Sequence, residues 1–170
     1  MPAPLRQLSL WEEPEPPAQP FTILSGGQTG VDRAALDVAL ELGLPCGGFC
    51  PRGRRAEDGQ LPARYPLQET ASTGYPERTR LNVRHSDATL VLLSGPPGKG
   101  VTLTIDLANR QGKPLMVVNL DEPDAAAVRA WLDEQGIRTL NVAGSRASRN
   151  PGVYTGALNF LRAVLRPPLT

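Results

Sequence analysis

Two glycine-rich segments hold most of the residues suited to gripping a small molecule. The first is Ser25-Gly26-Gly27-Gln28-Thr29-Gly30, followed at once by Asp32 and Arg33. The second is Ser94-Gly95-Pro96-Pro97-Gly98-Lys99-Gly100, with Thr102 two positions on. Each follows an apolar run and opens a run with helical spacing. Such a junction presents unsatisfied backbone N–H groups and the positive end of a helix dipole. Glycine there lets the backbone approach an anion with no Cβ in the way. Thr29 and Gln28 add side-chain hydrogen bonds, while Asp32 and Arg33 stand at the mouth of the first loop. The plain alternative for either loop is a tight turn with an ordinary helix cap. Neither is a P-loop, since no Lys-Ser or Lys-Thr pair follows the second glycine, and neither carries the G-x-G-x-x-G register of a dinucleotide site.

A third group is cationic. The chain has sixteen arginines and two lysines, and Arg52, Arg54, Arg55, Arg64, Arg78, Arg80 and Arg84 crowd one stretch against only Glu57, Asp58, Glu69 and Glu77. A guanidinium fork suits phosphate or carboxylate better than an ammonium does, so Arg52, Arg54 and Arg55 are expected to close over a ligand. Glu57 and Asp58 are the weak candidates for catalysis, or else they pair with Arg54 and Arg55 and hold the loop in shape. Asn141, Gly144, Ser145 and Arg146 form a further polar strand-end loop that completes the cleft or merely connects. The lone His85 reads as structural. Cys46 and Cys50 have no further cysteine to join them, so no structural metal is expected and strand-end packing is the simpler role.

The elements that must position these groups are legible as alternating runs. Apolar strands are expected at Phe21–Ser25, Pro45–Cys50, Ala88–Leu93, Leu115–Val118 and Arg138–Val142. Helices are expected at Val31–Leu42, Glu77–His85, from Gly100 to about Gln111, Ala125–Gln135 and Val153–Leu165. The alternation predicts an α/β fold, a Rossmann-like three-layer sandwich whose mainly parallel sheet is covered by helices on both faces. Ligands in such sheets bind beyond the carboxyl ends of the strands, where both glycine loops fall. Residues 51–77 are long for a plain connection.

Length, 170 residues, and 40% hydrophobic content suit one domain over 20–170 behind a flexible, proline-rich tail of residues 1–19. A net charge of +1 argues against direct nucleic-acid or membrane attraction. The absence of a signal-like start or an apolar span leads to a cytoplasmic expectation. Within the tail, Gln7-Leu8-Ser9-Leu10-Trp11 resembles the short peptide by which bacterial replication and repair proteins hook onto the DNA sliding clamp. The alternative is an apolar patch folding back on the domain or touching a second subunit.

Several longer motifs carry a family resemblance. The runs 25–37 and 50–59, Tyr65-Pro66-Leu67-Gln68-Glu69-Thr70, the run 77–84, and Leu140-Asn141-Val142-Ala143-Gly144 resemble the molybdenum carrier (molybdenum cofactor carrier-like) family. That family is more distantly similar to LOG-type nucleotide-processing enzymes. The resemblance implies a bacterial, Rossmann-like protein whose ligand is the molybdopterin cofactor or a nucleotide, and a homodimer. LOG-type enzymes cleave N-glycosidic bonds with a P-G-G-x-G-T-x-x-E motif. Here Val101 replaces the threonine and Thr104 the glutamate, and a hydroxyl cannot stabilise an oxocarbenium-like centre as a carboxylate does. Three readings follow: a carrier, a nucleotide hydrolase or nucleotide-signal sensor, and an adaptor tied to the clamp through the tail.

Overall fold

The computed structural model describes residues 21–166. The tail, with the 7–11 run, lies outside the described residues. Along the chain run β1 (Thr22–Leu24), α1 (Val31–Glu41), β2 (Cys46–Gly47), β3 (Phe49–Cys50), β4 (Arg55–Ala56), β5 (Gly59–Gln60) and β6 (Gln68–Glu69). Then come α2 (Tyr75–Arg84), β7 (Ala88–Leu93), α3 (Lys99–Arg110), β8 (Leu115–Asn119), α4 (Ala125–Glu134), β9 (Thr139–Gly144) and α5 (Val153–Leu165).

Five strands form a parallel sheet in the order β2-β1-β9-β7-β8. The last strand of the chain therefore sits in the centre. Read from β9 onward, and then from β1, the same sheet has the order 3-2-1-4-5 of a doubly wound domain. Its switch point, where ligands bind in such sheets, falls between β9 and β7.

Strand alternation sorts the layers. Ile23, Ala88, Leu90, Leu92, Leu140 and Val142 join Val31, Ala35, Val38, Ala157, Leu161 and Val128 in one buried cluster under α1, α5 and α4. Helices α2 and α3 pack against each other on the other face, where Asn141 and Ala143 look out from the central strand. Burial on this scale is the main stabilising term, at about 1.5–3 kcal/mol for each large aliphatic side chain.

The stretch Pro45–Cys50, expected as one strand, is two. Gly48, at φ +128°, breaks it so that β2 joins the main sheet and β3 pairs with β6. A Cβ at Gly48 would lie 2.2 Å from the Ser25 carbonyl oxygen, so only glycine lets the chain cross so close to β1. The long connection after it is not plain loop. It carries the β4–β5 hairpin, with Glu57 and Asp58 at its tip, and its Ala56, Leu61, Tyr65 and Leu67 form a small core with Leu36 of α1 and Cys50 of β3. Helix α2 begins two residues earlier than expected, with Pro76 in its first turn, where a missing N–H costs nothing.

Candidate functional site

At the carboxyl ends of β1 and β9 a cavity of about 590 Å³ opens between α2 and α3. That size suits a nucleotide or a pterin. Three loops meet around it: the glycine loop after β1, the glycine loop after β7, and the polar loop after β9.

The first glycine loop is closed on itself. At the start of α1, Gly30 adopts φ +82° and the Val31 N–H donates to the Ser145 carbonyl at 3.1 Å. A Cβ on Gly30 would come within 2.4 Å of that same oxygen. The Thr29 N–H donates to Gln28 Oε1 at 3.1 Å, and the Gln28 N–H to Asp32 Oδ2 at 3.3 Å. Thr29 Oγ1 accepts from the Ala147 N–H at 3.2 Å and donates to the Glu57 carboxylate. Glu57 also accepts from the Ser148 N–H at 3.1 Å and the Ser148 hydroxyl at 2.7 Å, with Arg146 at 3.7 Å. Partial burial alone would raise the Glu57 carboxyl, but the Thr29 and Ser148 hydrogen bonds and the Arg146 charge hold it below its ordinary value. Asp58 forms a bidentate pair with Arg33 at 2.8 and 3.0 Å, which lowers the Asp58 pKa and raises that of Arg33. Arg33 in turn holds the Gly27 carbonyl at 3.1 Å. The hairpin tip is thus riveted to the loop, and the Val31 N–H at the helix start is already met by a carbonyl of the same chain.

The second glycine loop is open. Gly98 begins α3 with extended backbone, no side chain caps the helix, and its first turn holds no acid. The positive end of the dipole is left unneutralised. Two arginines of the third loop approach it. The Arg149 guanidinium lies so close over Gly98 that a Cβ there would meet its Nε at 2.8 Å, while Arg146 Nη2 would be 3.8 Å from a Cβ on Gly100. A third guanidinium, Arg78, comes from α2 and is almost fully buried. It donates to the Gly26 carbonyl at 2.8 Å and stands 3.7 Å from Asp32 Oδ2. Burial lowers the Arg78 pKa against the pull of Asp32, and burial raises that of Asp32 against the pull of Arg78. Arg55, Arg78 and Arg146 all stand over the Tyr75 ring, at 5.5, 5.1 and 5.7 Å from its centre. The electron-rich ring face eases the crowding of their charges.

The expected site residues are distributed unevenly over this geometry. Gly26, Gln28, Asp32, Gly98 and Gly100 line the cavity. Thr102 lines an adjoining depression of about 370 Å³ that shares Gly98, Lys99, Leu103 and Arg149 with it. Gly27, Thr29, Gly30 and Arg33 form the braced layer behind the wall. Ser94 is tied to Ser145 Oγ through its N–H at 3.0 Å and accepts from the Asn150 amide, and Gly95 lies outside the lining. Arg54 donates to the carbonyls of Leu61, Pro62, Tyr65 and Leu67 and so shapes that loop. Arg55 holds the Thr73 carbonyl, and the Arg52 side chain is exposed. Glu57 and Asp58 serve the hairpin anchors described above and do not line the cavity. Thr104 is on the wall, its hydroxyl donating to the Gly100 carbonyl at 3.0 Å. Among the described residues no three His, Cys, Asp or Glu side chains gather as a metal cage, and neither Cys46 nor Cys50 lines the cavity.

Tyr75, Ser148 and Arg149 are cavity residues that the motif reading passes over. Arg149 sits five positions past β9 in a segment without regular structure, where only its charge beside Arg146 hinted at a role.

The central position of β9 is what a doubly wound domain acquires when its first strand is moved to the end of the chain. The family described as "Circularly permutated YpsA SLOG family" matches residues 23–165. The chain belongs to that family. Among solved structures, it is similar to a "Putative molybdenum carrier protein" of Syntrophus aciditrophicus SB. The two share 38% identity and a TM-score of 0.82, over 87% of this chain and 96% of that one. No functionally curated protein matches the sequence. No described helix is long and apolar enough to cross a membrane.

Proposed function

We propose that this SLOG-family protein binds a phosphate-bearing heterocycle, a nucleotide or the molybdopterin cofactor, and acts as its carrier. One observation carries the reading: the uncapped start of α3 and the guanidinium groups of Arg146 and Arg149 converge at one end of a ligand-sized cavity. Backbone N–H groups at a helix start and arginine guanidinium groups are both well suited to holding a phosphate. The first glycine loop serves as the rigid wall against which the ligand lies.

The name of the structural neighbour brings molybdenum into the reading, and the residues fit that cargo through its phosphate and ring system. With no thiol on the cavity wall, the chain's own grip falls on phosphate and pterin. When bound, the cofactor would carry the metal's redox chemistry. The chain would supply charge at Arg146 and Arg149, a flat wall at Gly26, and shelter from water between α2 and α3.

The test is an Arg146→Ala/Arg149→Ala double variant, titrated calorimetrically with nucleoside monophosphates and a pterin phosphate. Loss of two charge-assisted contacts should weaken binding by ~100-fold or more while the circular dichroism spectrum stays unchanged. Equal affinity in the variant would remove the phosphate end of the site from α3.

A further inference from the structure

The inner wall of the cavity differs from its mouth, being buried, polar and only partly satisfied. Gln28, Asp32, Arg78 and Asn141 line it with exposures of 5, 7, 7 and 3%. Gln28 uses Oε1 to accept from the N–H groups of Thr29 and Glu57, yet its Nε2 has no acceptor. Arg78 uses Nη1 on the Gly26 carbonyl, yet its Nε also has no acceptor. The contacts that Asp32 receives from Gln28 and Arg78 both fall on Oδ2. Asn141 donates its amide to Thr89 Oγ1 at 3.3 Å. Orphaned donors beside a half-used carboxylate are costly in a buried wall, and a ligand with the complementary pattern offsets that cost.

We propose that this wall reads the 2-amino-4-oxopyrimidine edge shared by guanine and pterin rings, with Asp32 as the residue that sets specificity. The ring N–H and the exocyclic amine are adjacent donors, and a carboxylate accepts from both. The ring carbonyl and the nitrogen beside it are adjacent acceptors, matching the Gln28 and Arg78 donors. Adenine presents the opposite pattern, an acceptor where guanine has N–H and an amine where guanine has its carbonyl. It would set a lone pair against the carboxylate and a donor against donors. Sites that leave buried polar groups unpaired reject the wrong ring strongly. This inference rests on the phosphate-anchored reading above, because the phosphate at α3 decides which end of the ligand faces inward.

Calorimetric titration of the full chain with GMP, AMP, XMP, 6-(hydroxymethyl)pterin phosphate and inorganic phosphate tests it. GMP or the pterin phosphate should bind at least ~10-fold more tightly than AMP, and the tighter of the two identifies the source of the edge. Asp32→Asn should turn the preference toward XMP, whose second carbonyl accepts from the new amide. That gain cannot come from a variant that fails to fold. Equal affinity for GMP, the pterin phosphate and AMP, or an Asp32→Asn variant with the order unchanged, overturns this inference alone. No binding by any of the five overturns the phosphate-anchored reading and this inference with it.

Discussion

The loop after β1 and the loop after β7 both join a buried parallel strand to the start of a helix, yet their donors have different partners. In the first, the Val31 N–H meets the Ser145 carbonyl, and Thr29 meets Glu57 from the hairpin tip. In the second, α3 starts with neither a side-chain cap nor an acid, and Arg146 and Arg149 stand beside it. One junction has become a structural joint that locks the hairpin, β1 and the β9 loop together. The other keeps its electrostatic demand for an outside anion. What separates them is whether a carbonyl or carboxylate of the same chain reaches the helix start first, not the glycine content of the loop.

Glycine substitutions should separate the two roles most sharply. Gly30→Ala puts a Cβ against the Ser145 carbonyl at an unfavourable φ, and should cost about 3 kcal/mol or more, read as a lower urea midpoint. Gly100→Ala meets only Arg146 Nη2 at 3.8 Å, so its stability should change by less than ~0.5 kcal/mol. Any effect it has should be on phosphate binding. Equal destabilisation by both would break the contrast. Thr29→Val is a milder probe of the joint, since it deletes one hydroxyl between Glu57 and the Ala147 N–H. It should cost about 1–2 kcal/mol.

The joint should also have a pH signature. Because the folded-state pKa of Glu57 is lowered, its contribution is present above the ordinary glutamate value and is lost as pH falls through the folded one. Asp32 works in the opposite sense. Burial raises its pKa, so the cost of burying its charge is relieved as pH falls through that raised value. Urea midpoints of wild type and Glu57→Gln between pH 7 and 3 should show the variant losing the acid-side decline that Glu57 contributes. Parallel curves would mean that the hairpin anchor adds nothing. The smallest effect is expected at Arg52→Ala, where an exposed side chain should change stability by less than ~0.5 kcal/mol and leave ligand binding intact.

The sheet was legible because its signals are local. Apolar runs such as Leu90–Leu93 within β7, alternating with helical spacing, identify buried parallel strands without tertiary information. The order of strands was not legible, since nothing local in Thr139–Gly144 says that it takes the centre. Within the site, Gly26, Gln28, Asp32, Gly98 and Gly100 were visible because loop chemistry follows chain order. The arginines were harder, because a guanidinium on a long stem can turn to a carbonyl as readily as to a ligand. Arg54 turned to four carbonyls of its own loop. Arg78 from α2 and Arg146 and Arg149 from the loop after β9 reached the cavity. Charge density along the chain is blind to that convergence, and only the fold brings the three together.

The most direct test of the account is a titration of the ¹⁵N-labelled protein with GMP or a pterin phosphate, followed through backbone amide shifts. The N–H groups of Gly98, Lys99, Gly100 and Val101 should move first and furthest, with Thr29, Gly30 and Val31 nearly still. Large shifts at 29–31, with 98–101 unmoved, would place the anion at the first loop and contradict the division of roles between the two.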